Sequence, residues 1–133
     1  MKKMIRVREV MKTHFDVVDG MATVAMALDT MKHVDTKTLV VRPRHDRDEV
    51  GMVVLSDIAR EVLAKDRAPD RVNIYEIMSK PVLSVHPEMD IRYCARLFDR
   101  FRLSRAPVLD EKRQVIGIVS LTDLVMKGIL PNL

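Results

Sequence analysis

The seven residues GIVSLTD at 117–123 restate the seven residues GMVVLSD at 51–57, and this echo constrains the fold more than any other feature of the chain. Upstream of the phrase the correspondence continues. Val7, Glu9, Val10 and Met11 match Ile74, Glu76, Ile77 and Met78, and Val18 matches Val85. Val24, Ala27, Leu28 and Met31 match Ile91, Cys94, Ala95 and Phe98. Each of these last sets carries the i, i+3, i+4, i+7 spacing of one helix face. The offset between copies is 67 residues up to this point and 66 from Gly51 onward. A one-residue change falls in a polar stretch, RPRHDRDE against DEKRQ, where a turn absorbs it. A duplicated unit of this size must be built twice.

Each copy reads as a short helical turn (VREVM, IYEIM), an extended segment (FDVV, VLSV) and an amphipathic helix near 23–34 and 90–101. A two-stranded hairpin follows, TLVV with VGMVV and PVL with VIGIVS, and a last helix opens at the hydroxyl–Asp pair. Thr23 and Asp90 stand where N-caps belong. AKDRAPDRVN at 64–73 reads as a polar linker. The fold expected is α/β (α+β): two β-α-β-β-α units related by pseudo-twofold symmetry, with their small sheets packed together. The motifs span 1–66 and 67–133. A half-chain of this length is marginal alone, which favours joining the halves.

The rest of the composition excludes more than it suggests. With one cysteine, Cys94, no internal disulfide can form; its place on the helix stripe makes it a buried thiol. The basic start lacks an apolar run, so neither a signal peptide nor a membrane span is expected, and the location expected is cytoplasmic. A net charge of +4 with interleaved signs fits a solvated surface, and the absence of Trp argues against a stacking platform for nucleic acid. His14, His33, His45 and His86 show no metal-ligand spacing, so no metal is assigned. The ten Met read as core filler. No nucleophile–base order or Gly-rich phosphate loop stands out, so an enzyme is not expected.

The VM opening, the helix stripe, RAPVLD at 105–110 and GIVSLTDL at 117–124, twice and in order, resemble the CBS (cystathionine β-synthase) domain, and the pair resembles a Bateman module. That resemblance implies a regulatory module binding an adenosine compound and signalling to a partner protein or its own oligomer. AMP, ADP or ATP are the ligands implied first, with S-adenosylmethionine or NAD behind them. It carries ribose and phosphate roles to Asp123, Thr122 and Ser120, a phosphate role to Arg105, and an adenine-lining role to Val82, Leu83 and Ser84. A weaker second site would use Asp57, Ser56, Phe15 and Asp16, because Val54 and Thr38 replace Ser120 and Arg105 there.

Other readings stand beside these. Ser-x-x-Asp ahead of an apolar run is also a capping box; Arg105 could be a solvated cation, and Val82–Ser84 a core strand. The whole could be a structural or protein-interaction module with empty clefts. A homodimer is expected from family habit and from the apolar excess of LVMKGIL at 124–130.

Overall fold

A computed structural model describes residues 3–133. In chain order the regular elements are α1 (Val7–Val10), β1 (Asp16–Val18), α2 (Val24–Asp29), β2 (Thr38–Val41), β3 (Gly51–Val54), α3 (Leu55–Ile58), α4 (Ile91–Phe101), β4 (Arg105–Leu109), β5 (Val115–Ser120) and α5 (Leu121–Asp123). Wide π-type turns extend α3 through Ala59–Leu63 and α5 through Leu124–Ile129. The result is mixed α+β with small sheets and a repeated unit, as the duplication implies.

Packing divides the chain differently from its sequence halves. Phe15–Val82 form one compact unit; the segment ending at His14 packs with Leu83–Leu133 to form the other. In Phe15–Val82, β1 runs parallel to β2 and β3 antiparallel to it, in the order β1-β2-β3. Leu39, Val41 and Val53 pack on Val24 and Ala27 of α2 and on Ile58 and Val62 of the closing helix. The expected linker takes part in this unit. Val72 is buried in the same cluster, and its carbonyl accepts the N–H of Val24. Helix α2 is shorter than its stripe suggests: it stops at Asp29, and Val34–Thr36 form a separate 3-10 turn. Thr23 caps it, accepting the N–H of Met26 at 3.1 Å.

In the other unit, β4 and β5 pair antiparallel, with an irregularity at Val108/Leu109. Phe98 and Cys94 of α4, Val7 and Val10 of α1, and Ala106, Val108, Val119 and Leu124 make its core. Asp90 caps α4 by accepting the N–H of Arg92 at 2.8 Å. The extended segment VLSV contributes only one parallel bridge, Val85 to Val108, rather than a third strand. The reason is Pro107. Leu109 N–H bonds the Val85 carbonyl, so the next rung toward the N-terminus would need an N–H at residue 107, which proline lacks. The main chain of Leu83 and Ser84 therefore stays out of the ladder.

The methionines depart from the core-filler expectation. Met52 is buried, but Met4, Met21, Met26 and Met126 are exposed; thioethers tolerate either setting. Met1 lies outside the described residues.

Candidate functional site

The glycine that opens the repeated phrase has a steric purpose. A Cβ on Gly117 would stand 2.7 Å from the Lys12 carbonyl and 2.7 Å from Met11 Sδ. Its absence lets the chain after α1 lie against β5, where Lys12 and Ile118 exchange both main-chain bonds, at 2.8 and 2.9 Å. The equivalent pair in the unit Phe15–Val82 is Ser79 with Met52, beside Gly51.

The acid that closes the phrase is a cap. Ser120 is the N-cap of α5; its hydroxyl accepts the Asp123 N–H at 3.1 Å and donates to Asp123 Oδ2 at 2.9 Å. The Ser120 N–H also donates to Oδ2, at 3.2 Å. This is the reciprocal capping box. Asp57 does a poorer version, accepting the Val54 N–H at 3.4 Å, because Val54 has no hydroxyl to complete the box. Glu9 and Glu76, the other repeated acids, likewise accept the N–H groups of Arg6 and Asn73 that open their turns.

Capping leaves Oδ1 of Asp123 for another purpose. The carboxylate is 3% exposed, and Lys12 Nζ donates to Oδ1 at 2.7 Å from a side chain that is itself mostly buried. Lys127, one helical turn along, stands 3.7 Å from the same oxygen. Arg105 faces Ser120 across the hairpin; burial lowers its pKa, and the Asp123 charge opposes that shift. Two lysines thus flank one carboxylate, and Arg105 lies near enough to feel its charge. A region of net positive charge, with desolvated members, attracts anions. Thr122 projects its exposed side chain from the same turn.

Of the residues singled out from the sequence, Ser120, Thr122, Asp123 and Arg105 therefore gather at one helix start. Leu83 is half-buried against the core and Ser84 is exposed, both just before the Val85 bridge. Val82 ends the other unit. In that unit Asp16 does not offer a free carboxylate: Oδ1 and Oδ2 accept the N–H groups of Lys32 and His33 at 2.9 and 2.8 Å, shaping the chain after α2. Asp57 pairs with Arg60 at 2.8 Å, Ser56 is exposed, and Phe15 is half-buried at the unit's first residue. The hydroxyl of Thr38, in the position matching Arg105, is buried without a hydrogen-bond partner.

Sequence reasoning missed Lys12 and Lys127. Lys127 was within reach of it, since an acid followed four residues later by Lys is a standard helical pair. Lys12 was not, since 111 positions separate it from Asp123. Two surface hollows of the same unit, about 540 and 370 Å³, are lined by Phe98, Arg102 and Leu121 and by His86, Asp110 and Lys112; neither includes Asp123. Among the described residues no helix is long and apolar enough to cross a membrane.

Known proteins resemble this chain over nearly its whole length. A hexameric CBS-CP12 protein from bloom-forming cyanobacteria superposes with a TM-score of 0.89 at 37% identity, covering 96% of this chain and 73% of that one. The CBS domain pair of protein MJ0100, in complex with 5′-methylthioadenosine and S-adenosyl-L-methionine, shares the fold at TM-score 0.79 and 22% identity, covering 93% and 95% of the two chains. A homoserine O-acetyltransferase of Methanosphaerula palustris is 32% identical over 126 residues, 92% of this chain. The chain spans 57% and 24% of the lengths of the first two curated relatives it matches. The CBS domain family matches residues 7–64 and again 74–128, and the chain belongs to that family as a tandem pair.

Proposed function

We propose that this CBS pair is a regulatory module whose principal ligand is an adenosine-containing anion, AMP, ADP or ATP, received around Asp123, Thr122, Ser120 and Arg105. The observation that carries this reading is the charge around Asp123: one buried carboxylate among Lys12, Lys127 and Arg105. An ionised carboxylate accepts paired ribose hydroxyls through charge-assisted bonds, and the surplus cations suit phosphate. The same surplus disfavours S-adenosylmethionine, whose sulfonium is positive, although the MJ0100 pair binds it. The main chain at Leu83 and Ser84, kept from pairing by Pro107, is suited to meet an adenine edge, with Val82 beside it. Asp57 and Ser56, with Phe15 and Asp16, would make the weaker site, since Asp16 is already engaged by main-chain N–H groups.

Occupancy would be passed to a second copy or to a regulated protein. The exposed apolar side chains Leu121, Val125, Met126 and Ile129 on the last helical segment are suited to pair two copies. A nucleotide sensor with a reduced thiol belongs in the cytoplasm. The second reading, an interaction module with empty clefts, is favoured by one fact: every bond Asp123 makes is satisfied from within the chain.

Calorimetric titration decides between them. The wild-type protein should bind at least one of AMP, ADP and ATP, and Asp123→Ala should lower that affinity at least tenfold while Asp57→Ala does much less. Binding of none of the three, or a larger loss from Asp57→Ala, overturns the reading.

A further inference from the structure

We infer that Lys12 is an exchangeable counter-ion that sets the ligand class of the Asp123 site: it guards the carboxylate against uncharged adenosine and rewards a ligand that brings its own anion. The inference rests on the proposed role of Asp123 in receiving a ribose.

The partners of Asp123 are unequal in how easily they leave. The Ser120 N–H and hydroxyl that hold Oδ2 belong to the residue that starts α5, and main-chain geometry fixes them. Lys12 holds Oδ1 through a compact ammonium on a flexible four-carbon stem, and a stem of that kind swings without moving the backbone. Two ribose hydroxyls need acceptor positions on a carboxylate already meeting Ser120 twice, and the position they can clear is the one Lys12 fills.

An ammonium released from a half-buried pair must find another anion or lose favourable energy. Lys127, at 3.7 Å, and Arg105 cannot receive it, because both are cations. A 5′-phosphate on the incoming ligand can. An uncharged nucleoside breaks the pair and offers nothing in return, so it binds against a penalty that AMP avoids. Among the described residues, Asp57 in the other unit has no such guard. Ser79 occupies the place of Lys12 beside Met52, and Asp57 is paired instead to Arg60 on its own helix, with the Arg60 side chain 65% exposed. Selection for an anion by this route therefore belongs to the Asp123 site.

The test titrates adenosine and AMP separately into wild type, Lys12→Met and Lys12→Arg, with thermal melts to establish that each is folded. Wild type should prefer AMP; Lys12→Met should reduce the ratio of the two affinities at least tenfold, and Lys12→Arg should keep most of it. Binding with a ratio changed less than threefold by Lys12→Met overturns this inference alone. An equal loss in Lys12→Arg also overturns it, since packing rather than charge would then be at issue. Absence of AMP binding to wild type removes this inference, and the proposed function falls with it only when ADP and ATP also fail to bind. Should Lys12→Met be unfolded at the assay temperature, wild type with 13C-methylated lysines decides. Methylation keeps the charge, and both probes must shift the Lys12 resonance, AMP and adenosine to different positions; an unmoved resonance at saturation overturns the inference.

Discussion

Replacing Gly117 by Ala tests the steric role assigned to the glycine that opens the repeated phrase. The new methyl would lie 2.7 Å from the Lys12 carbonyl and 2.7 Å from Met11 Sδ, so the main chain must part. Parting it breaks the two bonds between Lys12 and Ile118, each worth about 1 kcal/mol net. Forced repacking around an added methyl costs about 1–3 kcal/mol more. The expected loss is about 3–5 kcal/mol. Gly51→Ala is the internal control. Its methyl meets Met78 Sδ at 2.9 Å, in a flexible side chain, with Val41 Cβ at 3.3 Å and the Ser79 carbonyl at 3.4 Å needing to give only a few tenths of an ångström. Neither glycine has a positive φ, so backbone strain does not enter. Alanine also restricts the unfolded chain, worth about 0.4–1 kcal/mol, and Gly51→Ala should stay within about 1 kcal/mol of wild type. Urea unfolding followed by circular dichroism is the assay, since the chain has no Trp for fluorescence. A Gly117→Ala variant as stable as Gly51→Ala would refute the close-approach argument.

Two further outcomes are expected. Cys94 is fully buried and its thiol is pushed up to about 11 by burial, so a disulfide reagent at pH 8 should leave it unmodified in the folded protein and react after urea is added; fast reaction of the folded protein would show the helix stripe to be misassigned. Asp48 is held well below its ordinary 3.8, first by the Arg44 N–H and then by Lys80. A depressed folded pKa contributes stability that is whole above 3.8 and drains away as pH falls through the folded value. Asp48→Asn should therefore be less stable than wild type at neutral pH, with the gap closing on acidification below pH 3.8, as urea midpoints across pH would show; a constant gap would refute the linkage.

The sequence revealed the duplicated plan because its signals are local. Caps at Thr23 and Asp90, the apolar stripe of α4 and the hydroxyl–Asp helix starts each depend on residues a few positions apart, and each appears where the pattern put it. What stayed hidden depends on distant partners. Nothing near Lys12 announces Asp123, and nothing in VLSV shows that Pro107 will refuse it a rung. The apolar stripe overstates the length of α2, because Met31 keeps the helical spacing although the helix ends at Asp29. Among the candidate residues, capping and ligand roles for Asp123 could not be separated by spacing, since both use the same carboxylate at the same helix start. Asp16 reads as a ligand residue from its matching position, and its bonds to main-chain N–H groups sixteen and seventeen positions on leave no side-chain signature in the sequence.

The pairing of Lys12 with Ile118 also bears on the order in which the molecule can be assembled. A segment made early is completed by a much later one: α1 and Lys12 leave the ribosome long before β5 exists to pair with them. Phe15–Val82, by contrast, hold all of their own strands and helices in one continuous stretch. That stretch can close on itself while the rest is still being made. Once folded it shortens the effective loop between Lys12 and its partner, lowering the entropic cost of bringing the ends together. The unit that carries the Asp123 site is thus the one that cannot finish until β5 has been made.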